Sequence, residues 1–148
     1  ICEMFAYYKA QGLSLIEVLE KLYQKYGYYE SRLCSYTFEG SSGFVRMMEL
    51  MEALRTARPA MIAGFTVQKM GDYQRSIMTD EKGHEEAINL PKSNVLRFFF
   101  KNGCEAVVRP SGTEPKLKIY LTTTGKSAQA CHEIAEQLQT YFSVWVAE

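Results

Sequence analysis

Apolar residues recur at helical spacing through the first part of the chain, and the texture turns strand-like near residue 30. Residues 2–10 read as an aromatic-rich helix ended by Gly12. Ser14-Leu15-Ile16-Glu17 is a capping box, in which the Ser14 and Glu17 side chains satisfy orphan backbone N–H groups reciprocally. Leu15, Val18, Leu19, Leu22 and Tyr26 continue at helical spacing, and Gly27 supplies the stop. Two helices joined by a short Gly turn form a hairpin with one apolar face, which is a poor core by itself and is expected to lean on further structure.

Beyond Tyr28-Tyr29, Arg32 to Phe38 alternates with period two and predicts a strand. Glu39 to Gly43 reads as a turn opening a helix. Phe44, Met47, Met48, Met51 and Leu54 then mark one buried face of that helix, to about Ala57. Met61 to Met70 predicts a strand, and residues 71–91 a polar stretch with a turn at Asp80-Glu81-Lys82-Gly83. Val95 to Phe100 is strongly β-prone. Asn102-Gly103 favours a type I′ hairpin turn, with Cys104 to Arg109 as the returning strand. Leu117 to Thr123 gives another strand. Ser127 caps a last helix whose buried side is Ala128, Cys131, Ile134, Ala135, Leu138, Tyr141 and Phe142. From Arg32 the order is strand, helix, four strands, helix. Short connections between strands imply an antiparallel sheet with both helices on one face, an α+β domain.

Composition narrows this picture. A chain of 148 residues, 47% hydrophobic and 13% aromatic, suits one compact domain, or one domain plus a piece of another, and can bury a real core. Lys plus Arg (17) balance Asp plus Glu (17), which argues against the general basic excess of a nucleic-acid or anionic-membrane binder but allows a local cation cluster. No apolar run approaches the ~18 residues of a membrane-spanning helix. Cys2, Cys34, Cys104 and Cys131 are scattered without a CxxC pair, which fits buried thiols in a reducing cytosol rather than a zinc ribbon or disulfide framework. His84 and His132 have no Cys or His at ligand spacing. Glu85/Glu86 and Glu133/Glu136 lie beside no nucleophile and read as solvated faces. Ile1-Cys2-Glu3-Met4-Phe5 reads as helix interior without a cap, so the polypeptide is expected to be cut from something longer.

One segment concentrates chemistry: Arg109-Pro110-Ser111-Gly112-Thr113-Glu114-Pro115-Lys116. Gly112 allows a turn with φ > 0 and close backbone approach to a ligand. N–H groups of a tight turn can converge as a nest on an anion. Ser111 and Thr113 add hydroxyl donors, and Arg109 offers a planar fork suited to phosphate oxygens. Lys116 and Lys118 add charge, and the two prolines limit the entropy lost on binding. A plain hairpin loop would use similar residue types. The Gly-x4-Gly-Lys pattern of a nucleotide-hydrolysing P-loop is absent.

This segment resembles the phosphate-binding loop of the α-D-phosphohexomutases, the phosphoglucomutase/phosphomannomutase family. Glu3 to Lys9, Leu19 to Tyr29 and Met48 to Arg55 also resemble the C-terminal third of such enzymes, so the likeness covers nearly the whole chain. It implies that residues 1–30 are the last helices of a third domain and 31–148 the fourth, whose family fold is TATA-binding-protein-like. It further implies a phosphoryl transfer between the 1- and 6-positions of a hexose through a hexose 1,6-bisphosphate, with Mg²⁺. The phosphoserine, the Mg²⁺ site and the sugar-selecting loop belong to the preceding domains, so this chain alone is expected to be inactive. Carried over residue by residue, Arg109, Ser111, Gly112 and Thr113 would contact the non-reacting phosphate. Many members place an Arg on the following strand, where this chain has Lys118, or alternatively Lys116. The implied partners are a phosphosugar and the preceding domains of the same chain, in the cytoplasm, with neither nucleic acid nor membrane. The competing reading is a stand-alone anion- or RNA-binding α+β module, in which Arg97, Arg109, Lys116 and Lys118 combine with Phe98 to Phe100 as a basic–aromatic face. Strand alternation opposes it by sending Phe99 to the other face from Phe98 and Phe100.

Overall fold

The computed structural model describes residues 1–147. Helices α1 (Cys2–Ala10) and α2 (Leu15–Tyr26) form the expected hairpin, followed by β1 (Tyr28–Thr37) and α3 (Gly40–Ala57). Seven strands follow: β2 (Met61–Ile62), β3 (Phe65–Asp72), β4 (Ile77–Asp80), β5 (Glu85–Ala87), β6 (Leu96–Phe100), β7 (Glu105–Pro110) and β8 (Lys116–Gly125). Helix α4 (Ala128–Ala147) ends the described chain. The antiparallel sheet runs β1-β8-β7-β6-β3-β4-β5, with β2 paired to β3 off that path. The fold is the α+β arrangement expected of a TATA-binding-protein-like domain behind a helical hairpin. The four expected strands are found as β2 with β3, β6, β7 and β8, while β4 and β5 are additions.

Alternation decides which sheet face is buried. Phe98 and Phe100 on β6, Ala106 and Val108 on β7, and Leu117, Ile119 and Leu121 on β8 point to one side and are almost wholly buried. Against them pack Met47, Met51 and Leu54 from α3 and Leu138 and Phe142 from α4, in one contiguous core. The opposite face, which carries Leu33, Val107, Arg109, Lys118 and Tyr120 at paired registers, is not covered by a helix. Ser127 Oγ accepts from Ala130 N at 3.1 Å, capping α4 as expected. Three members of its expected buried side differ: Ala128 is exposed, and Ile134 and Tyr141 are only partly buried.

Turn chemistry departs from expectation in two places. The two-residue turn with positive φ at both positions is Ala63-Gly64 (φ 51° and 82°), between β2 and β3, and it splits the strand expected over Met61 to Met70. At Asn102-Gly103 only Gly103 has positive φ (82°), and Gly103 N donates to Phe100 O at 3.0 Å. That is a three-residue loop of a type I turn followed by a left-handed glycine, not type I′.

Charged groups tie α3 to the sheet. The buried Arg55 donates Nη1 to Glu52 Oε2 and Nη2 to Asn94 Oδ1, both at 2.6 Å. Its Nε lies 3.1 Å from Asp72 Oδ2 as an ion pair that is not aligned for a hydrogen bond. Asp72 Oδ1 in turn accepts from Gln74 N and Arg75 N at 3.1 and 3.2 Å, holding the turn after β3.

The N-terminal hairpin contrasts with this core, because neither α1 nor α2 has a buried residue. It meets β1 where Tyr28 Oη donates to Glu20 Oε1 at 2.6 Å and the Tyr23 and Tyr28 rings stack 5.0 Å apart. The capping box is formed: Glu17 N donates to Ser14 Oγ at 3.2 Å, and Ser14 N donates to Glu17 Oε2 at 2.8 Å. Hydrogen bonds from the Ser14 backbone and then its hydroxyl hold the Glu17 carboxyl below its ordinary value. A lowered folded pKa stabilises above the ordinary carboxylate range and loses that effect as pH falls through the folded value. Helical carbon shifts at the start of α2 should therefore fray on acidification in the wild type. In Glu17→Gln they should be insensitive to pH, and equal pH dependence in both proteins would refute the cap's role.

Candidate anion-binding site

The candidate loop is built as the connection between β7 and β8 and is stitched at its base. Ser111 N donates to Lys116 O at 2.7 Å, and Lys116 N donates to Glu114 O at 2.7 Å. Phe38 N, just past β1, donates to Pro115 O at 2.8 Å and ties the loop to the approach of α3. Backbone N–H groups of Gly112, Thr113 and Glu114 find no protein acceptor among the described residues, and neither do the Ser111 and Thr113 hydroxyls. Five donors are thus left for solvent or a ligand.

Cation placement separates the two lysines. Lys116 Nζ lies 2.8 Å from Glu114 Oε2, and this hydrogen bond holds the Glu114 carboxyl below its ordinary value. Much of the Lys116 charge is spent there. Lys118 stands directly across from Arg109 on the uncovered sheet face, and neither has a carboxylate partner among the described residues. Like charges directly opposite on paired strands repel. An anion between them would relieve that repulsion.

Gly112 is a correction. Its φ is not positive, and no residue of 109–116 lies in the left-handed region, so the positive-φ turn expected at Gly112 does not form. A Cβ at Gly112 would meet nothing within 4 Å, so the glycine leaves open space above the backbone rather than relieving strain. Its contribution is access.

Beside the loop lies a cavity of about 470 Å³, walled by Phe44 and Met48 of α3, Asn94 before β6, and Arg109, Ser111 and Gly112. Thr113, Lys116 and Lys118 do not line it. Phe44 and Met48, expected in the core of α3, are 49% and 38% exposed and face this cavity instead. Helix α3 starts at Gly40, and Leu50 takes a core position that the Met spacing did not mark. Asn94 was missed for a plain reason: a polar residue ahead of a β-prone run looks like an ordinary strand boundary.

The basic–aromatic face of the competing reading does not assemble. Phe98 and Phe100 are in the core, while Arg97 lies over the Phe99 ring and is ion-paired to Glu105 at 2.6 Å. Among the described residues no group of three or more His, Cys, Asp or Glu side chains could hold a metal ion, so the implied Mg²⁺ has no fitting site there. No described helix is long and apolar enough to cross a membrane.

The architecture places the chain among α+β domains whose helices cover one face of an antiparallel sheet. Residues 45–140 match the family described as phosphoglucomutase/phosphomannomutase, C-terminal domain. The chain therefore belongs to the phosphoglucomutase/phosphomannomutase family, as its C-terminal domain. It is 36% identical over 132 residues to a phosphoglucomutase of Staphylococcus saprophyticus, an alignment covering 88% of this chain and 23% of that one. A phosphoglucomutase of Staphylococcus haemolyticus is 42% identical over 115 residues, covering 77% and 21%. Among solved structures, the open form of parafusin, an exocytosis-sensitive phosphoprotein and phosphoglucomutase from Paramecium, superposes with a TM-score of 0.55 at 18% identity. That superposition covers 97% of this chain and 24% of parafusin, and at such identity the likeness is one of fold. The chain spans less than a quarter of the length of these relatives.

Proposed function

We propose that this domain holds the non-reacting phosphate of a phosphosugar within a longer phosphohexomutase that interconverts hexose 1-phosphate and 6-phosphate. The observation that carries this reading is the Arg109–Lys118 cross-strand pair, two cations without a carboxylate partner among the described residues, beside a loop with three N–H groups unused there. In this reading Arg109 and Lys118 supply the charge. Ser111 and Thr113 donate their hydroxyls, and Gly112 admits the ligand to the backbone. Lys116 orders the loop through Glu114 and contributes less to the ligand. Binding energy from a phosphate remote from the chemistry positions and desolvates the one that reacts.

The remaining parts of the reading follow from it. Residues 1–30 are proposed as the closing helices of a third domain and 31–148 as the fourth. The uncovered apolar stripe of Leu19, Leu22 and Tyr26 supports that division. Transfer chemistry through a hexose 1,6-bisphosphate, with its Mg²⁺, is proposed to lie outside this chain, which is expected to show no turnover alone. A cytoplasmic setting is proposed from the three buried free thiols, Cys34, Cys104 and Cys131.

Titration of the ¹⁵N-labelled 148-residue chain with inorganic phosphate and with glucose 6-phosphate tests the reading. Shifts should concentrate on residues 109–118. Shifts spread elsewhere, or none at all, would overturn it, and a salt-dependent oligonucleotide response at the same residues would favour the nucleic-acid alternative.

A further inference from the structure

Asn94 sits between the most buried charged cluster of the domain and the cavity beside the loop. Its orientation follows from chemistry. A guanidinium only donates, so the Asn94 carbonyl oxygen must face Arg55 Nη2, at 2.6 Å. The amide nitrogen then turns the other way, where its protein contact is Met48 Sδ at 3.9 Å, a weak acceptor at long range. Arg55 is itself fixed by Glu52 at 2.6 Å and Asp72 at 3.1 Å, so it cannot rotate away without breaking those pairs. Asn94 thus presents a pre-aimed, little-used N–H donor to a cavity it lines together with Arg109 and Ser111.

The cavity is also larger than an anion needs. About 470 Å³ is within the range of a small-molecule site, and Phe44 and Met48 give it an apolar wall. The Arg109 guanidinium, an apolar wall and one neutral donor together match a ring that carries hydroxyls and a phosphate. We propose that Asn94 is a specificity-determining residue, donating to a hydroxyl oxygen on the sugar whose phosphate is held by Arg109 and Ser111, with Arg55 as its positioning residue. The proposal rests on the phosphate reading above and adds that this domain also reads the sugar.

The test compares inorganic phosphate with glucose 6-phosphate on the 148-residue chain by calorimetry or NMR titration. Asn94→Ala should weaken glucose 6-phosphate about fivefold, the worth of one neutral hydrogen bond, and leave inorganic phosphate within about twofold. Asn94→Asp keeps an oxygen for Arg55, and with it the local fold, should the alanine variant fail to fold. Its new charge should weaken both ligands, with glucose 6-phosphate weakened at least about threefold more than phosphate. Equal losses for the two ligands, or unchanged glucose 6-phosphate binding, would overturn the role of Asn94 while leaving the phosphate site standing. A wild-type chain that binds neither ligand would overturn the phosphate reading, and this inference with it.

Discussion

Arg109→Ala is expected to weaken phosphate-ester binding by about 10- to 100-fold. A charge-assisted hydrogen bond is worth ~1.5–3 kcal/mol, and each tenfold change in affinity is ~1.4 kcal/mol. Arg109 carries more than its neighbours because its fork can bind two phosphate oxygens, whereas Lys118 opposite it is a point charge. Exposure at the strand end also means that removing the guanidinium leaves no buried partner stranded, so the loss reports binding rather than folding. Arg109→Lys should recover part of the affinity, since it restores charge without the fork. Calorimetric titration with glucose 6-phosphate checks both variants. An affinity within about twofold of wild type for Arg109→Ala would remove Arg109 from the site.

The second large effect concerns stability. Arg55→Leu should cost about 3 kcal/mol in denaturant unfolding, near the lower end for breaking a buried ion pair. Its cause is the partner left behind. Asp72 is 7% exposed and would lose its buried partner, with Arg75 Nε at 3.5 Å as the remaining cation. Arg75 is largely solvent-exposed, so it screens Asp72 less well than the buried guanidinium does. Adding Asp72→Asn should recover part of the loss, because it removes the stranded charge and retains an acceptor for the N–H groups of Gln74 and Arg75. A cost below about 1 kcal/mol for Arg55→Leu would mean that water already reaches the cluster.

What the chain announces in advance depends on whether a physical pattern has a reason to exist. β6, β7 and β8 alternate because one face is packed under α3 and α4, and period-two texture follows directly from that burial. β4 and β5 have no buried residue, so Ile77 to Asp80 and Glu85 to Ala87 carry no alternation and read as polar connection. The cation-rich segment at 109–116 stood out by composition, yet its geometry did not follow from composition. Gly112 suggested a left-handed turn, while the prolines and the stitch between Ser111 and Lys116 shape the loop without one. The division of labour between Lys116 and Lys118 needed the cross-strand register, which places Lys118 opposite Arg109. The cavity walls were hidden more deeply. Phe44 and Met48 share a helical face with core residues, and only the end of the sheet decides that they look outward.

The stitched base of the loop has a kinetic consequence. Hydrogen bonds at Ser111, Lys116 and Phe38 already brace the loop backbone, so on the proposed reading a phosphate would meet a formed surface and wait for no loop to close. Association is then limited by encounter, which the facing Arg109 and Lys118 accelerate for anions through their field. On that reading, differences in affinity among ligands and variants should fall on the dissociation rate, with the residence time of the phosphate set by how many donors must let go together.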